Sequence, residues 1–451
     1  MIPLRPTINL YYDKIIDNTP VPNGVTEYNF TKDLLRIPVS AKKHWPINDT
    51  TLLFNVLKVL DVERVNIFSG NETAKSLFYP LELNKGTSWY DLDFETVIPN
   101  KSLSKIRKGK MKLLIFAPRL SHDYRVLWKL RTQLDKLGAK KITRDKIYIV
   151  LGDLNRSYRK LFDNPNVYGI DWWQIFAQLA YKNRDSEKSM YWVYREPSFF
   201  PLSPEQIDKE DFKFENWKPK RVFTAYTGNN ARHNLAFISE LIYRQLDVHG
   251  KYSFNLTKEK TPINSSNFRI IDKTNSTEYV RKKEQIIKSL TGTKKLDYDF
   301  NTLRRTPLVF DKSDYEDSLI SIVSGPYSPM FDRSYMDEVN MLSPKLGIWR
   351  QIAKGHPFMA LGCLNTMGYI GGEGYFLPTL ITNHFYDRVS KTTDKVKLMC
   401  DSIEIMSQYT EQEMADKVEE LIPFMKKNKQ KFFNMKHQRK FEKLFSEMNY
   451  E

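Results

Sequence analysis

Short apolar runs alternate with helical periodicity along the first half of the chain. The runs lie at residues 65–68, 112–117 and 146–151. Between the second and third runs, a helical pattern extends from Val126 to Leu137 and ends at Gly138. Strands that alternate with helices in this way predict a parallel sheet covered by helices.

The second half of the chain repeats this alternation. Residues 221–226 form a strand pattern, residues 227–230 a turn, and residues from about 231 to 245 a helical pattern. A further pattern follows, with an amphipathic helix through Trp349 and Ile352, a buried strand at 357–361 and then two glycine-rich turns. Lys345 directly precedes this helix, at the kind of loop-to-helix junction where phosphates bind. A phosphate-bearing ligand is therefore the first hypothesis.

Three further segments set the domain organisation. Residues 196–220 hold four prolines and no sustained periodicity, which is typical of an interdomain linker. Residues 255–317 are polar around one helical pattern at 279–290, and we interpret them as an acceptor-facing insertion. A last helix begins at Thr410, with Glu413 completing a capping box. We predict an N-terminal domain at 1–217, a second domain at 218–400 and C-terminal helices at 401–451.

Length and composition favour a protein of two large domains without a membrane span. The 451 residues exceed one ordinary core, and 41% of them are apolar. No segment approaches the roughly 18 uninterrupted apolar residues of a membrane helix, and no secretory signal is visible. The two cysteines favour a reducing compartment and argue against a cysteine-based zinc site, and the seven histidines show no ligand spacing. We expect a cytoplasmic protein with no metal and no tightly bound cofactor.

A net charge of +16 makes polyanions plausible partners. The surplus is concentrated in two runs, one from Lys101 to Lys112 without an acid and one from Lys426 to Lys443. Either run alone is compatible with a solvated helix face, but their coexistence favours nucleic acid. The predicted nucleic-acid-binding residues are Lys105, Arg107, Lys108, Lys110, Lys429, Lys436, Arg439 and Lys440.

Several motifs also carry a resemblance. Ser343-Pro344-Lys345, residues 349–353, Gly355-His356-Pro357-Phe358, the glycine-rich stretch 368–375 and Tyr386-Asp387 resemble the donor-binding half of phage-type glycosyltransferases related to the fucosyltransferase and exostosin group. The family pattern has a glutamate where Pro344 stands. The resemblance implies the GT-B architecture, in which two Rossmann-like, doubly wound α/β domains face a cleft and C-terminal helices cross back to the first domain. It also implies a phage-infected host cell.

The resemblance implies a nucleotide-sugar donor, expected to be a UDP-sugar, held by the second domain. GT-B enzymes mostly neutralise the leaving diphosphate with fixed cations and helix N-termini. An alternative for Arg232 and Arg350 is a surface or interdomain salt bridge, and for Glu338 a solvated turn carboxylate. The predicted donor-binding residues are Lys345, Arg232, Arg350, Glu338, Gly228, Ser343 and Gly372.

Transfer to an acceptor hydroxyl requires a base near that hydroxyl. The candidates are Asp123 and His122, because they follow the strand at 112–117 at the edge where open α/β sheets bind ligands. A structural loop pair is the alternative, and Asp153 is the reserve candidate. The charge and the resemblance together predict double-stranded DNA as acceptor, specifically its 5-hydroxymethylcytosine. Two alternatives stay open: a glycan or protein acceptor, and a catalytically inactive nucleic-acid-binding relative. The sugar, the stereochemical course and the oligomeric state are not specified by the sequence.

Overall fold

A computed structural model shows an α/β protein whose chain divides into two compact units. The first unit contains the described residues up to 174, and the second contains those from 212 to 434. The structure describes residues 7–11, 26–29, 64–68, 77–82, 93–117, 124–151, 158–169, 174, 212–226, 232–255, 271, 274–290, 294–295, 312–324, 346–362, 364–389 and 391–434.

The first unit is built on a seven-stranded sheet. The order of its strands is β2-β3-β1-β4-β5-β6-β7, and every neighbouring pair is parallel except β2 with β3. Leu113 to Ala117 are fully buried, which is typical of a parallel strand covered on both faces. The strands are β1 (Thr7–Tyr11), β2 (Thr26–Asn29), β3 (Arg64–Phe68), β4 (Leu77–Glu82), β5 (Lys112–Ala117), β6 (Ile147–Leu151) and β7 (Val167–Gly169).

Amphipathic helices connect these strands. In the longest, Leu127, Leu130, Leu134 and Leu137 are buried, a spacing that brings the four side chains onto one helical face. This helix continues one residue beyond Gly138, where the sequence predicted its end. The helices are α1 (Phe94–Val97), α2 (Asn100–Arg107), α3 (Tyr124–Ala139) and α4 (Tyr158–Phe162), and a 3₁₀ turn lies at Arg144–Lys146.

The second unit has a five-stranded sheet in the order β10-β9-β8-β11-β12. The four strands β9, β8, β11 and β12 are parallel, and the two-residue β10 is antiparallel to β9. Central β8 and β11 contribute fully buried side chains such as Phe223, Ile320 and Ile322. The strands are β8 (Arg221–Tyr226), β9 (Gly250–Asn255), β10 (Lys294–Lys295), β11 (Ser318–Ser324) and β12 (Phe358–Leu361).

Helices of the second unit form two contacting groups. One group joins α5, α6 and α10, and the other joins α8 and α11. The helices are α5 (Arg232–Tyr243), α6 (Thr277–Leu290), α7 (Lys312–Glu316), α8 (Leu346–Lys354), α9 (Thr366–Gly372), α10 (Thr392–Met406) and α11 (Glu411–Asn434), with 3₁₀ turns at Phe214–Asn216, Asp247–His249 and His384–Arg388.

The predicted capping box at the start of α11 is confirmed. The Glu413 amide donates to Thr410 Oγ1 at 3.2 Å, and the Thr410 amide donates to Glu413 Oε2 at 2.7 Å. Further along, α11 packs on α8 through Phe432, which stacks on Trp349. The described part of the C-terminal helices thus belongs to the second unit. That the C-terminal helices at 401–451 also pack back on the N-terminal domain stays a prediction.

Part of the proline-rich stretch at 196–220 belongs to the core of the second unit. Phe212 and Trp217 are 2% and 3% exposed, and Trp217 Nε1 donates to Ser318 O at 2.8 Å. These contacts hold residues 212–217 beside the start of β11. This part of the predicted linker is therefore packed into the second unit. Within the described parts of the chain, no helix combines the length and the apolar character that a membrane crossing requires.

Candidate functional site at the reversal of strand order

The strand order of the second unit contains one reversal. From β8 the chain passes through α5 to β9 on one side, and it later returns to β11 on the other side of β8. Because consecutive parallel strands are joined by right-handed crossovers, the helices on the two sides of such a reversal lie on opposite faces of the sheet. The carboxyl ends of β8 and β11 therefore flank a crevice, which is where open α/β sheets bind ligands.

The next described helix in the chain after β8 is α5, and the next described helix after β11 is α8. Tyr226 ends β8 and Arg232 opens α5, while Ser324 ends β11 and Leu346 opens α8. A Cβ atom on Gly347 would lie 3.0 Å from Val323 Cγ1, so the glycine permits a close approach between the first turn of α8 and the end of β11. The positive ends of two helix dipoles are thus directed toward one edge of the sheet.

The sequence-predicted donor residues belong to these two junctions or to elements near them. Gly228 lies in the β8–α5 connection, and Glu338, Ser343 and Lys345 lie in the β11–α8 connection; all four are outside the described residues. Arg232 is the first residue of α5, and its side chain is also outside the described set. Their assignment to the donor stays a prediction.

Arg350 is on α8 and only 2% exposed. This burial argues against an exposed surface salt bridge, while an interdomain salt bridge and a contact with the donor both stay predictions.

Gly372 differs from its predicted environment. Residues 371 and 372 form the last turn of α9, whereas the sequence predicted glycine-rich turns. Gly372 is exposed, and a Cβ atom there would meet no atom within 4 Å. Local packing therefore does not require a glycine at this position.

The N-terminus of α9 is occupied by a carboxylate of the chain itself. Asp387 is 2% exposed and accepts hydrogen bonds from the amides of Thr366, Met367 and Gly368 at 2.8–3.1 Å. Burial raises the pKa of Asp387, while Lys395 and the three amides act in the opposite direction. Because these amides are already satisfied, this helix end is not a free anion site.

The neighbouring Tyr386 and Lys395 complete this corner. Tyr386 is fully buried, and its hydroxyl accepts the amide hydrogen of Ala360 on β12 at 3.2 Å. Lys395 Nζ donates to Gly362 O at 2.9 Å, directly after β12 ends. The Tyr-Asp pair of the resembling motif thus fixes α9 and β12 in place beside the crevice.

His356 lies at the opposite, amino edge of the same sheet. It is 1% exposed. Its Nε2 is 3.1 Å from both Tyr315 O and Ser318 O, whereas Nδ1 is 3.0 Å from one carbonyl oxygen, Pro357 O, so the two carbonyl groups favour a proton on Nε2 in the neutral ring. Nδ1 is 3.0 Å from Ser321 Oγ. Burial lowers the pKa of His356 to about 4, against the opposing effect of the carbonyl groups. A neutral, fully hydrogen-bonded imidazole at this edge is structural.

A buried ion network joins α5, α6 and α10. Glu240 accepts from Lys283, Tyr279 and Arg244, each at 2.9 Å, and Arg244 also pairs with Asp401. Although burial alone would raise the pKa of Glu240, its interactions with Lys283 and the other two donors lower it. Each member already has partners, so this network fastens the helices together and offers no open chemistry.

The first unit has its own reversal of strand order. The parallel strands run β3-β1-β4-β5-β6-β7, so the reversal lies between β1 and β4. The predicted base candidates Asp123 and His122 follow β5, the neighbour of β4, at its carboxyl end, and both are outside the described residues, as is Asp153. Their catalytic role stays a prediction.

The basic segment around α2 is only partly available to a partner. Arg107, Lys108 and Lys110 are exposed, but Lys105 is half-buried and its Nζ lies 4.2 Å from the centroid of the Tyr11 ring. The Lys105 ammonium therefore has an internal cation–π contact. In the second basic run Lys429 is half-buried, and Lys436, Arg439 and Lys440 lie outside the described residues.

Among the described residues, no group of three or more histidine, cysteine, aspartate or glutamate side chains is arranged to hold a metal ion. No protein-family model matches the chain, and no curated protein is significantly similar to it.

Proposed function

We propose that the chain is a glycosyltransferase whose second unit binds a nucleotide-diphosphate sugar, expected to be a UDP-sugar. One observation carries the proposal: the sheet order reverses between β8 and β11, and the connection that follows each strand leads into a helix. A diphosphate is the ligand class that such paired helix openings suit, because amides and dipoles favour negative charge there.

The predicted residues supply the remaining chemistry of a donor site. Gly228 would allow the backbone to approach the ligand, and Arg232 and Lys345 would contribute one cation from each connection. Ser343 adds a hydroxyl donor before α8, and Glu338 would accept hydrogen bonds from ribose or sugar hydroxyls. Arg350 and Gly372 are the further members of the proposed site.

The sugar is transferred by a single displacement at the anomeric carbon or by two successive displacements. In the simplest course, the acceptor oxygen forms a bond to the anomeric carbon while the bond from that carbon to the diphosphate breaks. The proton of the acceptor hydroxyl passes to a base, for which Asp123 and His122 are the candidates. Fixed cations would stabilise the charge that develops on the leaving diphosphate.

The proposed acceptor is 5-hydroxymethylcytosine in double-stranded DNA. Support comes from the net charge of +16 and from exposed cations such as Arg107, Lys108 and Lys110, which lie within a segment free of acids. Neutralisation of phosphates by such residues provides affinity that does not depend on sequence. A base in a duplex would have to be flipped out before its hydroxyl could reach a donor in a crevice.

A donor screen tests this proposal. The protein is incubated with each sugar nucleotide together with hydroxymethylated duplex DNA, plain duplex DNA or free glycans, and release of the nucleotide is measured. The proposal predicts release that requires both a UDP-sugar and hydroxymethylated DNA. Release only with glycans would indicate that the acceptor is a glycan and not DNA. No release with any donor would favour a nucleic-acid-binding relative without catalysis, an alternative that the proline at position 344 keeps open.

A further inference from the structure

A cavity of about 350 Å³ lies on the flank of α11 and has no role in the proposed donor site. The segment that follows α9 forms its other wall. Six of the side chains around the cavity are Phe376, Phe424, Lys427, Gln430, Lys431 and Asn434. The surface therefore combines aromatic rings, two cations and two amides within a volume that suits a small ligand or one unit of a polymer.

The aromatic part of the cavity is held in a fixed position. The rings of Phe376 and Phe424 stack with centroids 4.1 Å apart and planes 15° apart. Asn428, which is 6% exposed, accepts from the Phe376 amide and donates to the Phe376 carbonyl oxygen, both at 2.8 Å. This pair of hydrogen bonds fastens the Phe376 backbone to α11, so the stacked rings are preorganised for a ligand.

The cationic part follows from the charge pattern of α11. From Leu421 to Asn434 the helix contains four lysines and no acid. Lys427 and Lys431 are one helical turn apart and both line the cavity. Within the described part of the chain neither forms an ion pair, although Lys431 Nζ lies 5.4 Å from the centroid of the Tyr375 ring. Gly374 makes room for that ammonium, because a Cβ atom at residue 374 would lie 2.5 Å from Lys431 Nζ.

Stacked aromatic rings beside a row of cations are the elements with which proteins bind single-stranded nucleic acids. The rings stack on unpaired bases and the cations contact the phosphates of the same strand. In a duplex, bases are stacked on each other and their faces are not accessible to an aromatic side chain. We infer that the cavity lined by Phe376 and Lys431 binds single-stranded nucleic acid, with one base stacked on the rings and neighbouring phosphates in contact with Lys427 and Lys431. This inference does not depend on the proposed sugar transfer.

The test measures fluorescence anisotropy of a labelled oligothymidine at several salt concentrations, without any sugar nucleotide. Lys427→Gln/Lys431→Gln removes the two cations, and the matched control Lys282→Gln/Lys288→Gln removes the same charge from exposed positions on α6. Since each phosphate contact on a single strand contributes about 0.7 to the slope of log affinity against log salt, the cavity variant should flatten that slope by about 1.4. The control should leave the slope nearly unchanged.

A second variant tests the aromatic part separately. Phe376→Leu keeps an apolar side chain and every lysine, and it should weaken oligothymidine binding about fivefold or more. Its affinity for a duplex of equal length should stay within about twofold of wild type, since no base of a duplex would stack on the ring. The inference is overturned if the cavity variant and the α6 control behave alike, or if Phe376→Leu weakens duplex and single strand equally. A failed donor screen would leave these results unaffected, because no donor is present.

Discussion

Acidification should destabilise the second unit through the buried imidazole of His356. Burial lowers the pKa of His356 to about 4 in the folded protein, and the unfolded chain is expected to titrate near the ordinary value of about 6.5. Between these values the unfolded chain binds a proton that the folded protein does not bind. The stability contributed by the neutral ring is therefore fully present above the unfolded pKa and is lost as the pH falls toward the folded one.

The magnitude follows from the two pKa values. Each pH unit of difference corresponds to about 1.4 kcal/mol, so full acidification to about pH 4 should remove about 3 kcal/mol of unfolding free energy through this group. The ring is fully enclosed by Phe212, Trp217 and Tyr315, whose ring centroids all lie 5.3 Å from its own. No solvent screening therefore reduces the effect. The nearby Lys354 ammonium further disfavours a second positive charge.

Urea unfolding of wild type and His356→Gln across pH 4 to 7 measures this contribution. The variant loses packing at every pH, so the comparison concerns the change with pH and not the absolute stability. Wild type should lose about 3 kcal/mol more than the variant over this interval. His384 provides a parallel case, since burial also lowers its pKa to about 4, so His384→Asn should likewise reduce the loss of stability on acidification while His356 stays in place. Equal losses in wild type and His356→Gln, or an NMR titration of the His356 ring near pH 6.5, would refute the reasoning.

Two further comparisons test packing and buried charge. Gly250→Ala should lower the free energy of unfolding by about 1–3 kcal/mol, because the added Cβ would lie 2.5 Å from the Phe223 ring. Gly372→Ala should leave it unchanged or raise it by up to about 1 kcal/mol, because a Cβ there meets no atom within 4 Å. Thermal unfolding of the two variants measures both effects, and equal effects would contradict the glycine argument. Glu240→Gln should lower the free energy of unfolding by about 3–5 kcal/mol, because it leaves Lys283 charged and buried. Adding Lys283→Met should recover part of this loss. Chemical denaturation measures both effects, and a double variant whose loss equals the sum of the two single losses would contradict the pairing.

Local patterns predicted several elements closely. The strands at 112–117 and 221–226 agree residue for residue with the structure, because each apolar run is bounded by polar or turn residues. Central strand β11 was not predicted. Its sequence places Ser318 and Ser321 among apolar residues, and both serines are fully buried, so the apolar run is interrupted although the strand lies inside the sheet. Strand order itself depends on contacts between distant residues and is not encoded in periodicity.

The glycine-rich segment shows how tertiary contacts override local preference. Glycine disfavours helix, and the sequence accordingly predicted turns at residues 368–375. In the structure Asp387, from a later segment, accepts three amide hydrogens at the start of α9, which stabilises a helix over Thr366–Gly372.

For the candidate site, the junction at Lys345 could be proposed from the sequence, but its pairing with the β8–α5 junction follows only from the strand order. The cavity beside Phe376 was not predicted, although the interleaved phenylalanines and lysines of α11 were a visible signal.

The most direct test of the central claim is a double-mutant cycle on nucleoside diphosphate affinity. Isothermal titration calorimetry with UDP, and with other nucleoside diphosphates in parallel, compares wild type, Arg232→Ala, Lys345→Ala and the double variant. Lys220→Ala is the matched control, because Lys220 is an exposed cation at the amino end of β8. If both junctions hold one diphosphate, each single variant should weaken binding by about 10- to 100-fold, the effects should be non-additive, and the control should bind as wild type does. Absence of binding to every nucleoside diphosphate, or unchanged affinity in Arg232→Ala and Lys345→Ala, would contradict the claim.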